Sequence, residues 1–418
     1  MEEMVSPERA LEIVLAHISL GPTEQVDLLD AVGRVSAQDL RSDIDVAPFA
    51  HSCMDGYALH ARELETACPE RPVKLRVVAE EPAGSCYDGE LAPGECIRIM
   101  TGAVLPECAD SVVKYELVTV VEGDGKTGSI VSFNQSTRLR SNVREAGEDA
   151  KKGEIVVKAG ERIGCAGIGF LAGCGITRLS TYVRPRVAIL ATGSELVDPD
   201  SVPTPGKIRN SNGHAMAACI VRAGAIPVFY PIVKDTQDAL REMVQRAVDE
   251  CDFVLTTGGA ANGDYDFIKQ VITELGELYL TTVNMRPGKA QAFGLVKGVP
   301  VFGLPGNPAA AYIGFEALIR PALRKMQGFT SFKRQHVKAR LLREVAKPDP
   351  RRLYLRSVLS KDEQGGLQVL PFDNQSSGLF ATLQRSNCLA IMPEGREGKQ
   401  AGDIIDCVLL DIPEEMVL

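Results

Sequence analysis

The clearest pattern of apolar and polar positions lies between residues 253 and 272. Phe253, Val254 and Leu255 form a short apolar run that closes on Gly258-Gly259, and from Phe267 to Ile272 apolar positions return at helical spacing. The stretch between them, TTGGAANGDYD from Thr256 to Asp266, is a strand-to-helix turn. The same alternation places strands at 187–190, 226–230 and 299–304, and helices at 212–222 and 236–250. It predicts a doubly wound, largely parallel sheet whose ligand crevice lies at the carboxyl ends of the strands. A further helix spans 309–326, with Asn307 able to cap it and Pro308 at its first position.

The flanks follow other patterns. Residues 7–48 read as a helix opened by Ser6-Pro7, a strand near 25–29 and a short helix from Asp30. Asp55-Gly56 predicts a tight turn. From 73 to 133 short β-rich runs alternate with Gly, Pro and Asp, which marks a small all-β unit inserted in the chain. Residues 336–411 repeat that pattern in about five strands, a β-barrel or sandwich. The glycines of Gly167-Ile168-Gly169-Phe170 predict close helix packing, since no strand feeds them as a dinucleotide turn requires.

Length and charge narrow the function classes. A chain of 418 residues exceeds one ordinary core and implies two to four domains, at about 150 residues each. A net charge of -9 without a basic stripe excludes a sequence-independent nucleic-acid binder. The acidic start MEEMVSPERA is unlike a secretory signal, and no apolar run is long enough to span a bilayer. The 11 cysteines include no Cys-x-x-Cys pair and fit reduced thiols in the cytoplasm. The five histidines lack paired-ligand spacing, so an oxygen-ligated hard cation is the expected metal.

Three loops fall at strand ends: Thr192-Gly193-Ser194-Glu195, TTGGAANGDYD and Leu304-Pro305-Gly306-Asn307-Pro308. Loop amides before a helix N-terminus make an anion site. Asp264 and Asp266 in the central loop would repel a phosphate unless a cation stood between them, which points to a metal-bridged phosphate. Equally, the two acids can serve as helix caps. Two more polar turns carry reactive side chains, one at Thr101 and one running from Asn142 to Asp149.

In order, the motifs SCMDGYA, IRIMTGA, NVREAGEDA, ILATGSEL, TTGGAANGDYD, MRPGKAQAFG and LPGNPAA resemble those of the molybdopterin molybdenumtransferase family over nearly the whole chain. That resemblance implies Mg²⁺-dependent insertion of molybdate, or tungstate, into adenylated molybdopterin with release of AMP. It implies a multidomain α/β and β fold in a homodimer. The expected parts are a split N-terminal linker domain (1–48 and 141–183), an inserted β domain (49–140), a molybdopterin-binding α/β domain (184–330) and a C-terminal β-barrel (335–418).

By the same resemblance the catalytic positions are Asp55, Thr101, Glu195 and Asp266, with Glu195 and Asp266 as metal ligands. Substrate-binding positions are Asp149, Asp235, Gly258, Gly259, Arg286, Lys289, Pro305, Pro308, Arg356 and Ser377; Asp149 and Asp235 also read as turn-formers. The chain departs from the pattern at Ala261 and Ala310, where serines are usual, at Ala290 for proline and at Thr282 for lysine. The missing hydroxyls bear on oxyanion affinity and on the choice between molybdate and tungstate. The alternatives are a catalytically weakened molybdopterin-binding scaffold, a molybdopterin adenylyltransferase, which would not need the inserted unit or the barrel, and a pyrophosphatase of the competence-protein kind.

Overall fold

A computed structural model describes residues 4–258 and 267–412. Its centre is a six-stranded sheet in the order Ile226–Phe229, Arg186–Ala191, Phe253–Thr257, Val299–Leu304, Ala290–Val296, Gly276–Thr282. The first four strands are mutually parallel, and the last two join antiparallel. Period-two alternation sorts the strands onto two cores. Val187 and Ile189 face the helices Pro7–Ala16, Ser211–Arg222 and Pro308–Gly314, whereas Ala188 and Leu190 face Gln237–Glu250 and Phe267–Leu275.

The antiparallel pair was not legible as strands. Its residues, such as Leu280, Ala292 and Phe293, are buried by helices on both faces and show no simple alternation. The expected helix at 309–326 is one run interrupted by a π-turn, Phe315–Ile319, next to Pro321, which has no amide to offer the carbonyl four residues back. Asn307 stands at the N-cap but makes no side-chain cap bond. The Ala309 amide of that first turn instead donates to the Ser377 carbonyl of the C-terminal region, at 2.8 Å.

Upstream, Thr23–Asp27 pairs antiparallel with Arg178–Tyr182, and Leu40–Arg41 with Ile155–Val157. Val26 and Leu40 therefore share a core with Ile163, Leu171 and Leu179. Between these segments lies a second six-stranded sheet, from Gly56–Leu59 to Ile130–Phe133.

Three local readings change. The short helix at Asp30 is a single 3-10 turn, Leu28–Ala31. Gly56 is a strand residue, needed because a Cβ there would lie 2.1 Å from the Val113 carbonyl oxygen. Helix Cys165–Gly173 does form, yet Gly169 has nothing within 4 Å of its Cβ position, so its glycines do not bring another helix close.

The C-terminal strands His336–Leu341, Arg352–Lys361, Leu367–Pro371, Cys388–Met392 and Ile404–Leu409 close into a five-stranded barrel, because Arg352–Lys361 pairs with both Leu367–Pro371 and Cys388–Met392. The barrel core is Leu341, Leu359, Val369, Cys388 and Met392 among others.

Candidate active site

The parallel strands end side by side. Thr192 donates its amide to the Thr257 carbonyl at 3.0 Å, and Gly258 donates to Leu304 at 3.1 Å. Gly258 has φ +92°, and a Cβ on it would fall 2.4 Å from the Thr192 carbonyl oxygen, so only glycine fits this turn. Asp235 reaches over from the end of the neighbouring strand and accepts the Ser194 amide at 2.8 Å. Glu195 is exposed and folds back over Gly193, whose Cβ position lies 2.6 Å from a Glu195 carboxylate oxygen. Lys207 donates to the Ser194 carbonyl at 2.5 Å. The structure thus gathers Glu195, Asp235 and Gly258 in one crevice. Gly259, Ala261, Asp264 and Asp266 lie outside the described residues.

Among the described residues no group of three or more His, Cys, Asp or Glu side chains could hold a metal ion. The described part of the crevice brings two carboxylates, Glu195 and Asp235, to the strand ends, one Asp235 oxygen accepting the Ser194 amide.

The third strand-end loop leads to a cavity of about 930 Å³ between the α/β domain and the barrel. Arg286, Lys289, Pro305 and Ala310 line it from the α/β side, and Asp349, Gln375 and Ser377 from the barrel side. Arg286 and Lys289 flank Gly288, in a turn fixed by the buried Gln291, whose amide nitrogen donates to the Gly288 carbonyl at 2.8 Å. Pro308, half-buried, opens the helix whose Ala309 amide meets Ser377.

Arg356 stands behind this wall. It is fully buried, and its guanidinium donates to the Gln375 side chain at 3.2 Å and to the Ser376 carbonyl at 2.7 Å. It thereby holds the loop that presents Ser377. Its Nη2 is buried with no partner among the described residues, and burial pushes its pKa down.

The remaining candidates belong to other parts of the chain. Asp55 and Thr101 are exposed and bonded to each other in the inserted β unit. Asp149 is exposed in the returning linker, its amide bonded to the Val46 carbonyl at 3.1 Å. Sequence reasoning passed over Asp349, Arg351 and Gln375. Asp349 and Arg351 sit in the turn PDPRR, whose composition is that of any exposed turn, and their meaning comes from Arg286 in another domain.

The comparisons with known proteins span the chain. Residues 5–175 match the MoeA N-terminal region (domain I and II), residues 188–325 a probable molybdopterin binding domain, and residues 338–410 the MoeA C-terminal region (domain IV). The chain is 34% identical over 391 residues to a molybdopterin molybdenumtransferase of Bacillus subtilis (strain 168), covering 93% of this chain and 90% of that protein. It is 32% identical over 414 residues to one of Staphylococcus aureus (strain COL), covering 98% and 97%. A molybdopterin biosynthesis moeA protein from Pyrococcus horikoshii OT3 has a similar structure, with TM-score 0.82 and 28% identity over 98% of this chain and 100% of that one.

Proposed function

The chain belongs to the MoeA family of molybdopterin molybdenumtransferases, and from that membership we propose that it inserts molybdate into adenylated molybdopterin and releases AMP. It is a transferase of molybdenum-cofactor biosynthesis. The observation that carries the reading is the cavity bearing Arg286, Lys289 and Ser377, which adjoins the strand-end crevice through the Pro305–Pro308 loop. A tetrahedral dianion needs fixed positive charge and hydrogen-bond donors, which the two cations and the hydroxyl supply. The crevice at Gly258 offers backbone approach for the phosphates.

The metal in this proposal is Mg²⁺, which Glu195 and Asp266 would hold and which, when bound, would offset the negative charge on the phosphates. Thr101, Asp55 and Asp149 act in it as the contribution of a second subunit in a homodimer, and Asp235 fixes the Glu195 loop. The domain bounds proposed are 1–48 with 141–183, 49–140, 184–330 and 335–418, and the proposed location is the cytoplasm. No helix of the described residues is long and apolar enough to cross a membrane.

Incubating the purified protein with adenylated molybdopterin, molybdate and Mg²⁺ tests the proposal. AMP release, together with a product that activates an apo-molybdoenzyme, is expected. Tight pterin retention without AMP overturns it in favour of a binding scaffold, and equal turnover in excess chelator overturns the metal assignment.

A further inference from the structure

Arg286 lines the cavity from the α/β domain with 57% of its side chain exposed, and its Nη1 donates to Asp349 Oδ2 of the barrel domain at 2.9 Å. Asp349 is itself rigidly held. Its Oδ1 accepts the Arg351 amide at 3.0 Å and Nε at 2.9 Å, and its Oδ2 accepts Arg351 Nη2 at 2.5 Å. The turn beneath is pinned by Lys347, which donates to the Asp349 and Gly395 carbonyls, by Arg396 on the Pro348 carbonyl at 2.7 Å, and by the Gly395 amide on Pro350 at 2.9 Å.

The pair is not needed to dock the two domains. Met285 and Arg286 already pair with Arg352 and Leu353 through the backbone, the Arg352 amide bonds to the Asn284 carbonyl at 3.2 Å, and Ala309 bonds to Ser377. Glu316 of the long helix adds a two-pronged ion pair to Arg334, at 2.7 and 2.9 Å. A half-exposed ion pair adds little stability beside these ties. What it does supply is direction. An arginine fork has five donors, and anchoring one of them on a fixed acceptor aims the others and removes the rotamer freedom that anion binding would otherwise have to quench.

We infer that Asp349 is the positioning residue for Arg286, orienting its guanidinium to receive the oxyanion substrate across the domain boundary, with Arg351 holding Asp349 in place. The oxyanion meets Arg286, and Asp349 acts only through it. This rests on the transferase reading in one respect: the oxyanion is taken to be molybdate.

The test uses the full-length protein and the variants Asp349→Asn, Asp349→Glu, Arg286→Ala and the double variant Asp349→Asn/Arg286→Ala. Half-saturating molybdate and half-saturating adenylated molybdopterin are measured in turnover, and molybdate binding is measured by calorimetry. Asp349→Asn is expected to raise half-saturating molybdate about tenfold, as loss of an orienting partner does at other ligand sites, and to leave the pterin value in place. Asp349→Glu should recover part of that loss. The double variant should be no weaker than Arg286→Ala alone, because an orienting group has nothing left to orient.

An unchanged molybdate value in Asp349→Asn overturns the inference, as does full additivity in the double variant. Equal losses for molybdate and pterin mark a general structural role and overturn it too. A parent protein that binds molybdate without turnover sinks the transferase reading, and the inference is then judged on the calorimetric affinities alone. A parent that neither binds molybdate nor turns over sinks both.

Discussion

Thr101 holds one carboxylate oxygen of Asp55 with two hydrogen bonds, from its amide at 2.7 Å and from its hydroxyl at 2.8 Å. The amide bond first and the hydroxyl second pull the Asp55 pKa below its ordinary value. A depressed carboxyl contributes stability that is present above its unfolded pKa and lost as pH falls through the folded value. Thr101→Val removes the hydroxyl bond and keeps the amide. The Asp55 carboxyl should then titrate nearer the ordinary aspartate value, and the stability it loses in acid should be smaller and fully lost at a higher pH. Carbon-detected NMR titration of Asp55 checks this; an identical midpoint in parent and variant would remove the hydroxyl from the account.

If Asp55 of one subunit completes the crevice of the other, two inactive chains should complement. In a mixture of Asp55→Ala and Asp266→Ala chains, random exchange makes half the dimers mixed, each with one intact site of two. Roughly a quarter of parental activity is expected. Demonstrated subunit exchange without AMP release would place the site within a single chain.

Two glycine substitutions should move stability in opposite directions. Gly258→Ala puts a Cβ 2.4 Å from the Thr192 carbonyl at φ +92°. Left-handed strain alone costs about 1–2 kcal/mol, and the clash adds to it. Gly169→Ala, in an exposed helix interior with open space around it, should stabilise by about 0.5–1 kcal/mol. Urea denaturation midpoints decide both, and a stabilised Gly258→Ala protein would contradict the strand-end geometry.

Ala310 is buried on the cavity wall, and a serine in its place adds a neutral donor. One such bond is worth on the order of 1 kcal/mol, so Ala310→Ser should lower half-saturating molybdate several-fold. The measurement is a molybdate titration of AMP release, repeated with tungstate. No change for either oxyanion would mean that the added hydroxyl bonds within the protein and not to the ligand.

The sequence by itself determined what repeats locally. Alternation of strand and helix carried the parallel half of the central sheet, because each strand of that half announces itself by a short apolar run and a following turn. Five β-rich runs carried a barrel or sandwich, and ordered motifs carried the family, with the barrel it implies, and named Glu195, Asp235, Arg286 and Lys289. What only the tertiary structure decided was the partner of each group. Asn307 reads as a helix cap, yet the Ala309 amide is taken by Ser377, about 70 positions away in another domain. Gly56 reads as a turn former, yet its missing Cβ makes room for Val113 on a neighbouring strand. The resemblance implies that Arg356 binds substrate, and the fold buries it beneath the loop that presents Ser377. Arg286 finds Asp349 across a domain boundary. Periodicity records which face of an element is buried, but hydrogen bonds and ion pairs are formed by whatever the fold brings within about 3 Å, and that pairing leaves no trace in the local pattern.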